Sequence, residues 1–399
     1  MSVKSEFPIF QNNPGLIFLD NGASTQKPQM VIDGVSEFVS TNYSNIHRGL
    51  YRISENAENL YHQSKEKLAQ FINAQAKEII YTYNSTYAFN LIIQALVNSK
   101  KIWTWDKVLI WMWEHHSNIL ARQNLSKIFW FTVEFVNIDE NTDLDRDDFQ
   151  KKYTDEVKVV SFSQVSNVTG TIIDVKKVKS LLRDDTFFMV DGSQSVPHFK
   201  VDVQEIGCDA LIMTWHKMLA YSWLWMLYLK HQRIKELEPM ILWGGTVKDV
   251  STTEYSLQSN AEKWEAGTPN VIWAVSLLKA LEWIEHYGWI DKMWEHEQML
   301  VKRGLQFFEK MKEKFRLIGS FSCENRVGVF SFVKISWDSN FNRVGEVLAA
   351  HNICVRAGGH CAYPLHKALN IGGTVRISTY VYNDLEDLEK TFQVLEGLD

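Results

Sequence analysis

Residues 187–217 read FFMVDGSQSVPHFKVDVQEIGCDALIMTWHK and carry the strongest fold signal in the chain. Two apolar runs, FFMV and ALIM, each pass into polar residues, the first at Asp191 and the second at His216 and Lys217. Short apolar runs bounded by turn residues are typical of buried strands, so two strands joined by a loop are predicted. Loops that follow such strands commonly carry chemistry in α/β folds. Lys217 is therefore a candidate functional residue, with an ordinary surface lysine as the alternative.

The same alternation extends along the middle of the chain. Strand patterns occur in KVLIWMW (107–113) and VKVVSFSQVSN (157–167), and helical spacing occurs in DVKKVKSLLRDD (174–185). Strands that alternate with helices predict parallel βαβ units and a sheet buried on both faces. Ligands bind such sheets at the carboxyl ends of the strands. The residues expected at one cleft there are Asn167, Asp191, Gln194, His216 and Lys217.

The pattern changes from about residue 275. Two amphipathic helices are predicted over 276–288 and 295–315. A strand, a helix and a second strand are then predicted over 327–335, 341–352 and 374–382. The C-terminal part of the chain therefore reads as a smaller α/β unit.

Composition indicates an ordinary globular protein. The 399 residues are 45% hydrophobic and 23% charged, which supplies enough apolar material for a packed core. A net charge of -6 does not favour nucleic acid as a partner. The N-terminal MSVKSEFPIF lacks the apolar run of a signal peptide, and no apolar run near Lys217 is long enough to span a bilayer. We therefore expect a cytoplasmic protein without a membrane partner.

Four cysteines are present, and none forms a CxxC pair: Cys208, Cys323, Cys354 and Cys361. Without an export signal, free thiols are expected rather than disulfides. Cys361 follows a Gly-Gly-His run, so it is expected on a pliable, exposed loop where a thiol near cations ionises more readily. Cys361 is the candidate nucleophile, with a structural cysteine as the alternative. The other three are expected to pack in the core.

Lys217 and Asp191 together suggest a site for pyridoxal phosphate. A lysine amine becomes nucleophilic when burial and neighbouring cations lower its pKa, and it then forms a Schiff base with an aldehyde. Pyridoxal phosphate uses such a lysine, and a carboxylate against its pyridine nitrogen lets the ring accept electrons. Asp191, at a strand end, suits that role, although Asp-Gly taken alone is usually an ordinary turn.

Two adjacent histidines, His115 and His116, follow another strand pattern. Neighbouring residues on an extended segment point in opposite directions, so one metal ion rarely binds both, and no metal site is expected. A flat imidazole can instead stack on a flat cofactor ring. A solvated histidine is the alternative.

Anion-binding groups occur at three further places. Ser85 and Thr86 precede an apolar helical run, where a helix start can bind phosphate, although an ordinary helix cap is the alternative. Thr214 adds another hydroxyl. Arg356 and Arg376 either pair with acidic side chains or bind a substrate carboxylate through two parallel hydrogen bonds.

Ten motifs occur in order between residues 18 and 383: FLDNGAST, NIHRG, NSTYAFN, EHHSN, SQVSNVTGT, VDGSQSV, HKM, EAGTPN, VRAGGHCAYP and VRISTYVYN. Together they resemble the class V aminotransferase family, and within it the SufS-type (group II) cysteine desulfurases and selenocysteine lyases. EAGTPN with a downstream HCA-P loop is the most specific part of the resemblance. Single motifs carry little weight.

The resemblance implies a role for each matching residue. Lys217 holds the cofactor aldehyde, Asp191 faces the pyridine nitrogen, and Gln194 faces the phenolate oxygen. His115 stacks on the ring and belongs with Lys217 and Cys361 to the catalytic residues. The remaining implied roles are phosphate binding by Thr86, Thr214 and His216, phosphate binding in a second subunit by Thr246, contact with cofactor and substrate by Asn167, substrate binding by Arg376 and Arg356, and sulfur uptake by Cys361.

The resemblance also implies a fold and an activity. The fold is the α/β, aspartate-aminotransferase type (fold type I) of pyridoxal-phosphate-dependent transferases. A large, mostly parallel-sheet cofactor domain is expected over 18–280, and a small α/β domain carrying the cysteine loop over 281–399 with 1–17. The activity is conversion of L-cysteine to L-alanine, with the sulfur transferred as a persulfide on Cys361 for Fe–S cluster assembly.

The implied partners are a second copy of the chain and a sulfur-acceptor protein. Alternative functions are a selenocysteine lyase acting on L-selenocysteine, another class V pyridoxal phosphate enzyme, and a family member with impaired activity. A scaffold that binds a sulfur-carrier partner without turnover is the alternative outside catalysis.

Five of the 15 tryptophans stand where the family carries glycine or another small residue: Trp105, Trp215, Trp223, Trp225 and Trp243. Glycine serves where the backbone takes a positive φ or approaches another group closely, and an indole there overpacks at a cost of about 1–3 kcal/mol. We hypothesise that the source reads UGA as glycine and that UGA was translated here as tryptophan. The alternative is a core adapted to the bulk, with altered or lost activity.

Overall fold

The computed structural model describes residues 3–139, 142–222, 225–337 and 340–398. In these segments a large, mostly parallel sheet is covered by helices on both faces, and a smaller sheet is built mainly from the C-terminal part of the chain. The predicted α/β fold class is therefore confirmed. None of the helices in these segments combines the length and the apolar character that crossing a bilayer requires.

The helices are α1 (Pro8–Asn12), α2 (Gln29–Thr41), α3 (Arg52–Phe71), α4 (Ser85–Asn98), α5 (His116–Phe129), α6 (Arg146–Lys152), α7 (Val175–Ser180), α8 (Val203–Ile206), α9 (His231–Glu236), α10 (Val271–Tyr287), α11 (Trp289–Lys310), α12 (Phe341–Ala350), α13 (Tyr363–Ala368) and α14 (Leu385–Glu396). The strands are β1 (Ile17–Phe18), β2 (Ile79–Thr82), β3 (Lys107–Trp111), β4 (Thr132–Val136), β5 (Val157–Ser163), β6 (Phe187–Asp191), β7 (Ala210–Thr214), β8 (Trp225–Leu229), β9 (Val247–Val250), β10 (Tyr255–Leu257), β11 (Phe315–Ile318), β12 (Val329–Lys334), β13 (Ile353–Cys354), β14 (Arg356–Gly358) and β15 (Thr374–Ser378). Single 3₁₀ turns cover Val3–Glu6, Ala76–Glu78, Trp215–Lys217, Ala261–Trp264 and Ile335–Trp337.

The large sheet has the strand order β2-β8-β7-β6-β5-β3-β4. Neighbours from β7 to β4 are parallel, whereas β8 runs antiparallel to both β7 and β2. Both faces are apolar because both are covered. Leu109 and Trp111 of β3 face the core shared with α2, α3 and α10, and Val108 and Ile110 face the core shared with α4 and α5.

The small sheet has the order β11-β12-β15-β14 and is antiparallel, and α11, α12 and α14 share its core. The N-terminal strand joins this part of the molecule. Strand β1 pairs in parallel with β13, Ile17 opposite Ile353, and Asp20 forms an isolated bridge with Ser378. The division into 18–280 and 281–399 with 1–17 stays a prediction.

The connection between β6 and β7 differs from the predicted simple loop because it contains α8. Asp202 caps this helix by accepting hydrogen bonds from the Gln204 and Glu205 N–H groups at 2.9 and 3.0 Å. Gly207 ends it with a φ of 68°, a left-handed conformation that glycine adopts easily. These two signals were present in the sequence, but a single turn of helix is too short to show apolar periodicity.

Candidate active site

A cavity of about 250 Å³ lies where β5, β6 and β7 end. The residues from the large-sheet side that were predicted to form the site and that line it are Thr86, His115, Asn167, Asp191, Gln194, Thr214, His216 and Lys217. Arg356, Cys361 and Arg376 line it from the small-sheet side. The structure thus brings together all the predicted site residues of one chain except Thr246. Their individual roles stay predictions.

Lys217 ends the 3₁₀ turn that directly follows β7. Its side chain is partly buried, and burial lowers the pKa of the amine to about 8. The Asp191 carboxylate opposes this shift, whereas the Arg376 guanidinium adds to it. About a tenth of the amine is therefore uncharged at pH 7, far more than for an ordinary lysine, and the uncharged amine is the nucleophilic form.

Asp191 is the last residue of β6 and is buried. Its Oδ1 accepts a hydrogen bond from the Ser193 N–H at 2.9 Å. Burial raises the pKa of this carboxyl group, and the Lys217 amine is among the groups that lower it. A buried carboxylate is stable only with a donor or a cation beside it, so this position suits a protonated ring nitrogen.

His115 is the N-cap of α5, and its Nδ1 accepts a hydrogen bond from the Ser117 N–H at 3.2 Å. Because Nδ1 accepts, the proton of the neutral imidazole lies on Nε2. Burial, together with the charge of Lys217, lowers the pKa of His115 to about 3. The ring is therefore uncharged at physiological pH, as stacking on an aromatic ring requires.

The start of α4 offers one anion-binding group. Ser85 and Thr86 are its first two residues, and the preceding Asn84 caps the helix by accepting a hydrogen bond from the Tyr87 N–H at 2.6 Å. Sequence reasoning placed the cap at Ser85 or Thr86. Because Asn84 fulfils that role, the two hydroxyls and the positive end of the helix are left at the cavity wall.

The end of β7 offers a second anion-binding group. Thr214 Oγ1 donates to Ser193 Oγ at 2.8 Å, and both residues line the cavity. Burial lowers the pKa of His216 to about 3, with Lys217 as the next cause, so this imidazole is neutral and offers a hydrogen bond rather than a charge. Its ring centroid lies 5.1 Å from that of Trp225.

Arg356 and Arg376 share a carboxylate that sequence reasoning missed. Asp20 Oδ2 lies 3.1 Å from Arg356 Nη2, and its Oδ1 lies 3.3 Å from Arg376 Nη2. Arg376 is buried and also donates from Nη1 to the Asn167 carbonyl at 2.9 Å. Its Nε has no partner within the described residues, so it remains able to bind a further acceptor. The signal for Asp20 was its place in FLDNGAST.

Cys361 is exposed and lies between β14 and α13. The loop was predicted to be pliable, but its backbone is held at two points. The Asn167 Nδ2 donates to the His360 carbonyl at 2.8 Å, and the His116 N–H donates to the Cys361 carbonyl at 2.8 Å. Sequence reasoning missed both contacts because each joins segments more than 190 residues apart in the chain.

All four cysteines are free. Cys208 is buried, as predicted for a core residue, whereas Cys323 and Cys354 are only partly buried. Cys323 still packs against the core of the small sheet, so the prediction of three buried packing cysteines is wrong in the burial of two of them.

Thr246 does not line the cavity. It is fully buried, and its hydroxyl donates to the Trp243 carbonyl at 2.8 Å and accepts from the Trp243 N–H at 3.0 Å. Within one chain it closes the turn that precedes β9. The contact with a phosphate in a second subunit stays a prediction.

The tryptophans at family glycine positions differ in burial and in backbone conformation. Trp225 lines the cavity, and Trp215 is buried next to His216; neither indole N–H has a partner within the described residues. Trp105 is exposed with a φ of 77°. Trp243 is half-exposed and donates its indole N–H to the Glu265 carbonyl at 3.1 Å. Trp223 lies outside the described residues.

The residues present fit pyridoxal phosphate. The cavity offers an amine of lowered pKa, a buried carboxylate, a neutral imidazole and a helix start with hydroxyls. Gln194 Nε2 donates to the Gly22 carbonyl at 2.8 Å, while its buried Oε1 has no partner within the described part of the chain. Buried polar atoms are rarely left unpaired, so this oxygen is available to accept a hydrogen bond from a ligand.

Comparison with known proteins identifies the family. The model of the family Aminotransferase class-V matches residues 17–391. A probable cysteine desulfurase from Pyrococcus abyssi is 35% identical over 398 residues, which cover 99% of this chain and 96% of the relative.

Two solved structures share the fold. The apo structure of a cysteine desulfurase from Thermococcus onnurineus NA1 has a TM-score of 0.92 and 32% identity, covering 99% of this chain and 98% of that one. The cysteine desulfurase CsdA (S-sulfonic acid) from Escherichia coli has a TM-score of 0.88 and 26% identity, covering 98% of this chain and 96% of that one. Because the family model matches residues 17–391 of the 399 in this chain, the chain belongs to the class V aminotransferase family.

Proposed function

We propose that this protein is a pyridoxal-phosphate-dependent cysteine desulfurase that converts L-cysteine to L-alanine and takes up the sulfur as a persulfide on Cys361. The observation that carries the proposal is that Lys217, Asp191 and Cys361 line one cavity. An amine suited to an aldehyde cofactor and an exposed thiol therefore meet the same substrate. The relatives from P. abyssi and T. onnurineus are named for this activity.

Bound pyridoxal phosphate supplies an aldehyde that condenses with amines and a ring that accepts electrons from the substrate. Lys217 would hold the aldehyde, and a pKa of about 8 suits its amine to move a proton at the substrate Cα near neutral pH. Asp191 would pair with the ring nitrogen, Gln194 with the ring oxygen, and His115 would cover one face. The phosphate would bind Thr86, Thr214 and His216.

The substrate carboxylate would bind the arginines. Arg376 is held by Asp20 and by the Asn167 carbonyl, so its guanidinium is fixed before the substrate arrives. Its Nε, which has no partner among the residues that the structure describes, offers a further donor, and the exposed Arg356 lies on the other side of Asp20. Asn167 would touch both cofactor and substrate. A pre-oriented guanidinium binds a carboxylate with little loss of side-chain entropy.

The thiolate of Cys361 then attacks the sulfur of L-cysteine. A sulfur–sulfur bond forms, the substrate Cβ–S bond breaks, and its electron pair stays on the carbon skeleton, which takes up protons and leaves as L-alanine. The Cys361 thiol is oxidised to a persulfide while the carbon is reduced, so no external oxidant is needed. Exposure of Cys361 leaves the persulfide open to an acceptor.

Beyond this activity, the motifs favour the SufS-type subgroup and a homodimer in which Thr246 reaches the phosphate site of the second copy. An acceptor protein would carry the sulfur to Fe–S cluster assembly in the cytoplasm. These assignments rest on the resemblance of the motifs. Oligomeric state by light scattering, with and without the Thr246→Ala substitution, tests the dimer.

One experiment tests the activity. The purified protein is incubated with pyridoxal phosphate, its visible spectrum is recorded before and after L-cysteine, and alanine and protein-bound persulfide are measured. Alanine and persulfide in equal amounts after reduction-free workup are expected. Release of alanine only from L-selenocysteine would indicate the lyase instead. No cofactor band and no alanine would contradict the proposal.

A further inference from the structure

The two histidines of EHHSN lie on different sides of the same short segment. His115 lines the cavity, whereas His116 contacts the loop that carries Cys361. The His116 N–H donates to the Cys361 carbonyl at 2.8 Å. Its Nε2 accepts a hydrogen bond from the Tyr363 N–H at 3.0 Å. One residue therefore binds the chain at the cysteine and again two residues after it.

The backbone at this turn is in a conformation that needs support. His360 and Cys361 have φ of 47° and 56°, so two successive non-glycine residues are left-handed. Each such residue costs about 1–2 kcal/mol and persists only where surrounding contacts hold it. Within the turn, the Ala362 N–H donates to the Gly359 carbonyl at 2.9 Å. Contacts from outside the turn must therefore supply the remaining stabilisation of these two left-handed residues.

Two groups of contacts from outside the turn have different targets. The Asn167 amide holds the His360 carbonyl, and the His360 Nε2 lies 2.9 Å from Thr374 Oγ1, so both fix the residue before the cysteine. The contacts of His116 act on Cys361 itself and on Tyr363. The His116 ring also packs edge-on against the Tyr363 ring at 4.7 Å between centroids.

We propose that His116 is a positioning residue for Cys361, which fixes the thiol relative to the cofactor cavity by binding the main chain at Cys361 and again at Tyr363. The proposal rests on the sulfur-accepting role of Cys361 stated above. His116 is the first residue of α5, and its neighbour His115 is the cap of that helix. The dipeptide His115-His116 at the start of α5 therefore fixes the positions of both the imidazole proposed to stack on the cofactor and the Cys361 loop.

The acceptor atom requires the neutral form of His116. A protonated imidazole has no acceptor, so it cannot bind the Tyr363 N–H. Burial lowers the pKa of His116, and the neighbouring His366 adds to this. The side-chain contact therefore persists through the neutral pH range.

Two substitutions separate the acceptor from the bulk of the side chain. His116→Gln places an amide oxygen near the position of Nε2, whereas His116→Leu has no acceptor; the main-chain bond to Cys361 remains in both. His286→Gln, at the exposed end of α10, is the matched control. Holoenzyme of each is prepared with pyridoxal phosphate. The readouts are the cofactor band, kcat and KM for L-cysteine, and the rate of Cys361 alkylation by iodoacetamide, with Cys323 as the internal reference.

For His116→Leu we expect an unchanged cofactor band, a KM within about twofold, and a kcat about ten- to a hundredfold lower, since a small misplacement of a reacting group costs this much. The Cys361 alkylation rate should change by about threefold or more relative to Cys323. His116→Gln should recover most of both, and His286→Gln should match the parent.

Three results would overturn the proposal: a kcat and alkylation rate in His116→Leu equal to the parent, equal losses in Leu and Gln variants, or loss of the cofactor band in both. If the parent forms no persulfide while Cys361 alkylation still depends on His116, the proposed function fails and the positioning role stands.

Discussion

Asp191 ends β6 and Lys217 lies in the turn after the adjacent parallel strand β7, and the Asp191 carboxylate opposes the burial that lowers the pKa of the Lys217 amine to about 8. Burial favours the uncharged form of both groups, so it raises the pKa of the Asp191 carboxyl and lowers the pKa of the Lys217 amine. The pair is thus poised so that small changes in its surroundings alter which form is charged.

Cofactor uptake should depend on pH through Lys217. Its folded pKa of about 8 lies below the ordinary value of 10.5, so the reactive amine accumulates as pH rises toward 8. We expect the rate of cofactor incorporation to rise about tenfold per pH unit at low pH and to level off near pH 8. Stopped-flow absorbance from pH 6 to 9 measures this. A rate still rising steeply above pH 9 would show an unperturbed amine.

The same shift affects the stability of the cofactor-free protein. Between pH 8 and 10.5 the unfolded chain holds more protons on Lys217 than the folded chain does, so this group's contribution makes stability rise with pH over that window. Lys217→Met, which cannot titrate, should lose that slope in urea titrations.

Asp191→Asn should keep the shape of the site and remove its negative charge. Without the carboxylate, a cationic ring nitrogen loses a charge-assisted hydrogen bond, so alanine formation should fall about ten- to a hundredfold. The pKa of Lys217 should fall further, because Asp191 raises it. Steady-state assay of alanine measures the first effect. Asp155→Asn, on the surface, is the control, and equal activity in both variants would remove Asp191 from the mechanism.

Cys361→Ser should abolish persulfide while leaving cofactor binding intact. The thiol lines the cavity, and within the described residues no hydrogen bond joins its sulfur to a residue that would hold the cofactor, so its replacement should leave cofactor binding intact. Mass spectrometry after L-cysteine should find one added sulfur atom in the parent and none in the variant. Cys323→Ser should behave as the parent; sulfur on Cys323 would reassign the acceptor.

Trp105→Gly should stabilise the protein. Trp105 is 79% exposed and has a φ of 77°, so the indole gains little from burial while the backbone is strained. Relief of about 1–2 kcal/mol is offset by about 0.5–1 kcal/mol from the greater freedom of glycine in the unfolded chain. Urea denaturation should show a small net gain. Trp103→Gly, exposed but outside the positive-φ set, should show none.

Trp225→Gly should raise cofactor affinity. Trp225 occupies part of the cavity wall beside His216, and its buried indole N–H has no partner within the described residues. Removing the ring opens the cavity beside His216, where the proposed phosphate site lies, while the loss of the unsatisfied donor stabilises the folded chain rather than the bound cofactor. Fluorescence titration with pyridoxal phosphate measures the affinity. An unchanged or weaker affinity would mean that the indole does not crowd the site.

The structure adds two observations to the decoding hypothesis for these tryptophans. Trp130 and Trp289 also have positive φ, of 64° and 66°. Buried indole N–H groups without a partner in the described segments occur at Trp111, Trp113, Trp215, Trp225 and Trp264. Both features are costly for tryptophan, whereas glycine adopts a positive φ without steric strain and has no indole N–H to satisfy. The nucleotides of the gene test the hypothesis, since UGG codons at 105, 215, 223, 225 and 243 would end it.

Strand-end residues were the part of the site that sequence reasoning placed well. Asp191 and Lys217 follow apolar runs whose period and flanking residues identify strands, and parallel strands bring their carboxyl ends to one edge. The motif order supplied His115, Cys361 and Arg376. No local pattern encodes the strand order of the sheet, which depends on packing between distant segments.

Contacts between distant segments account for what was missed. Asp20 was visible only as part of a motif, because its partner Arg376 lies 356 residues away. No role for His116 was visible in the sequence, because its contacts with Cys361 and Tyr363 form only when the chain folds. Thr246 lies in a turn whose relation to any phosphate depends on a second chain. Residue type and spacing carry no signal for such pairs.

The pairing of β1 with β13, and of Asp20 with Arg376, also bears on how the protein is made. A ribosome releases the first strand and the whole large sheet long before it translates their partners near the C-terminus. A nascent chain can thus form β7 and the turn that carries Lys217 early. Arg356, Cys361 and Arg376 reach the site only at the end of synthesis. Until β13 is translated, the edge of β1 that pairs with it is exposed, so a chaperone that covers this edge would protect the nascent chain from aggregation.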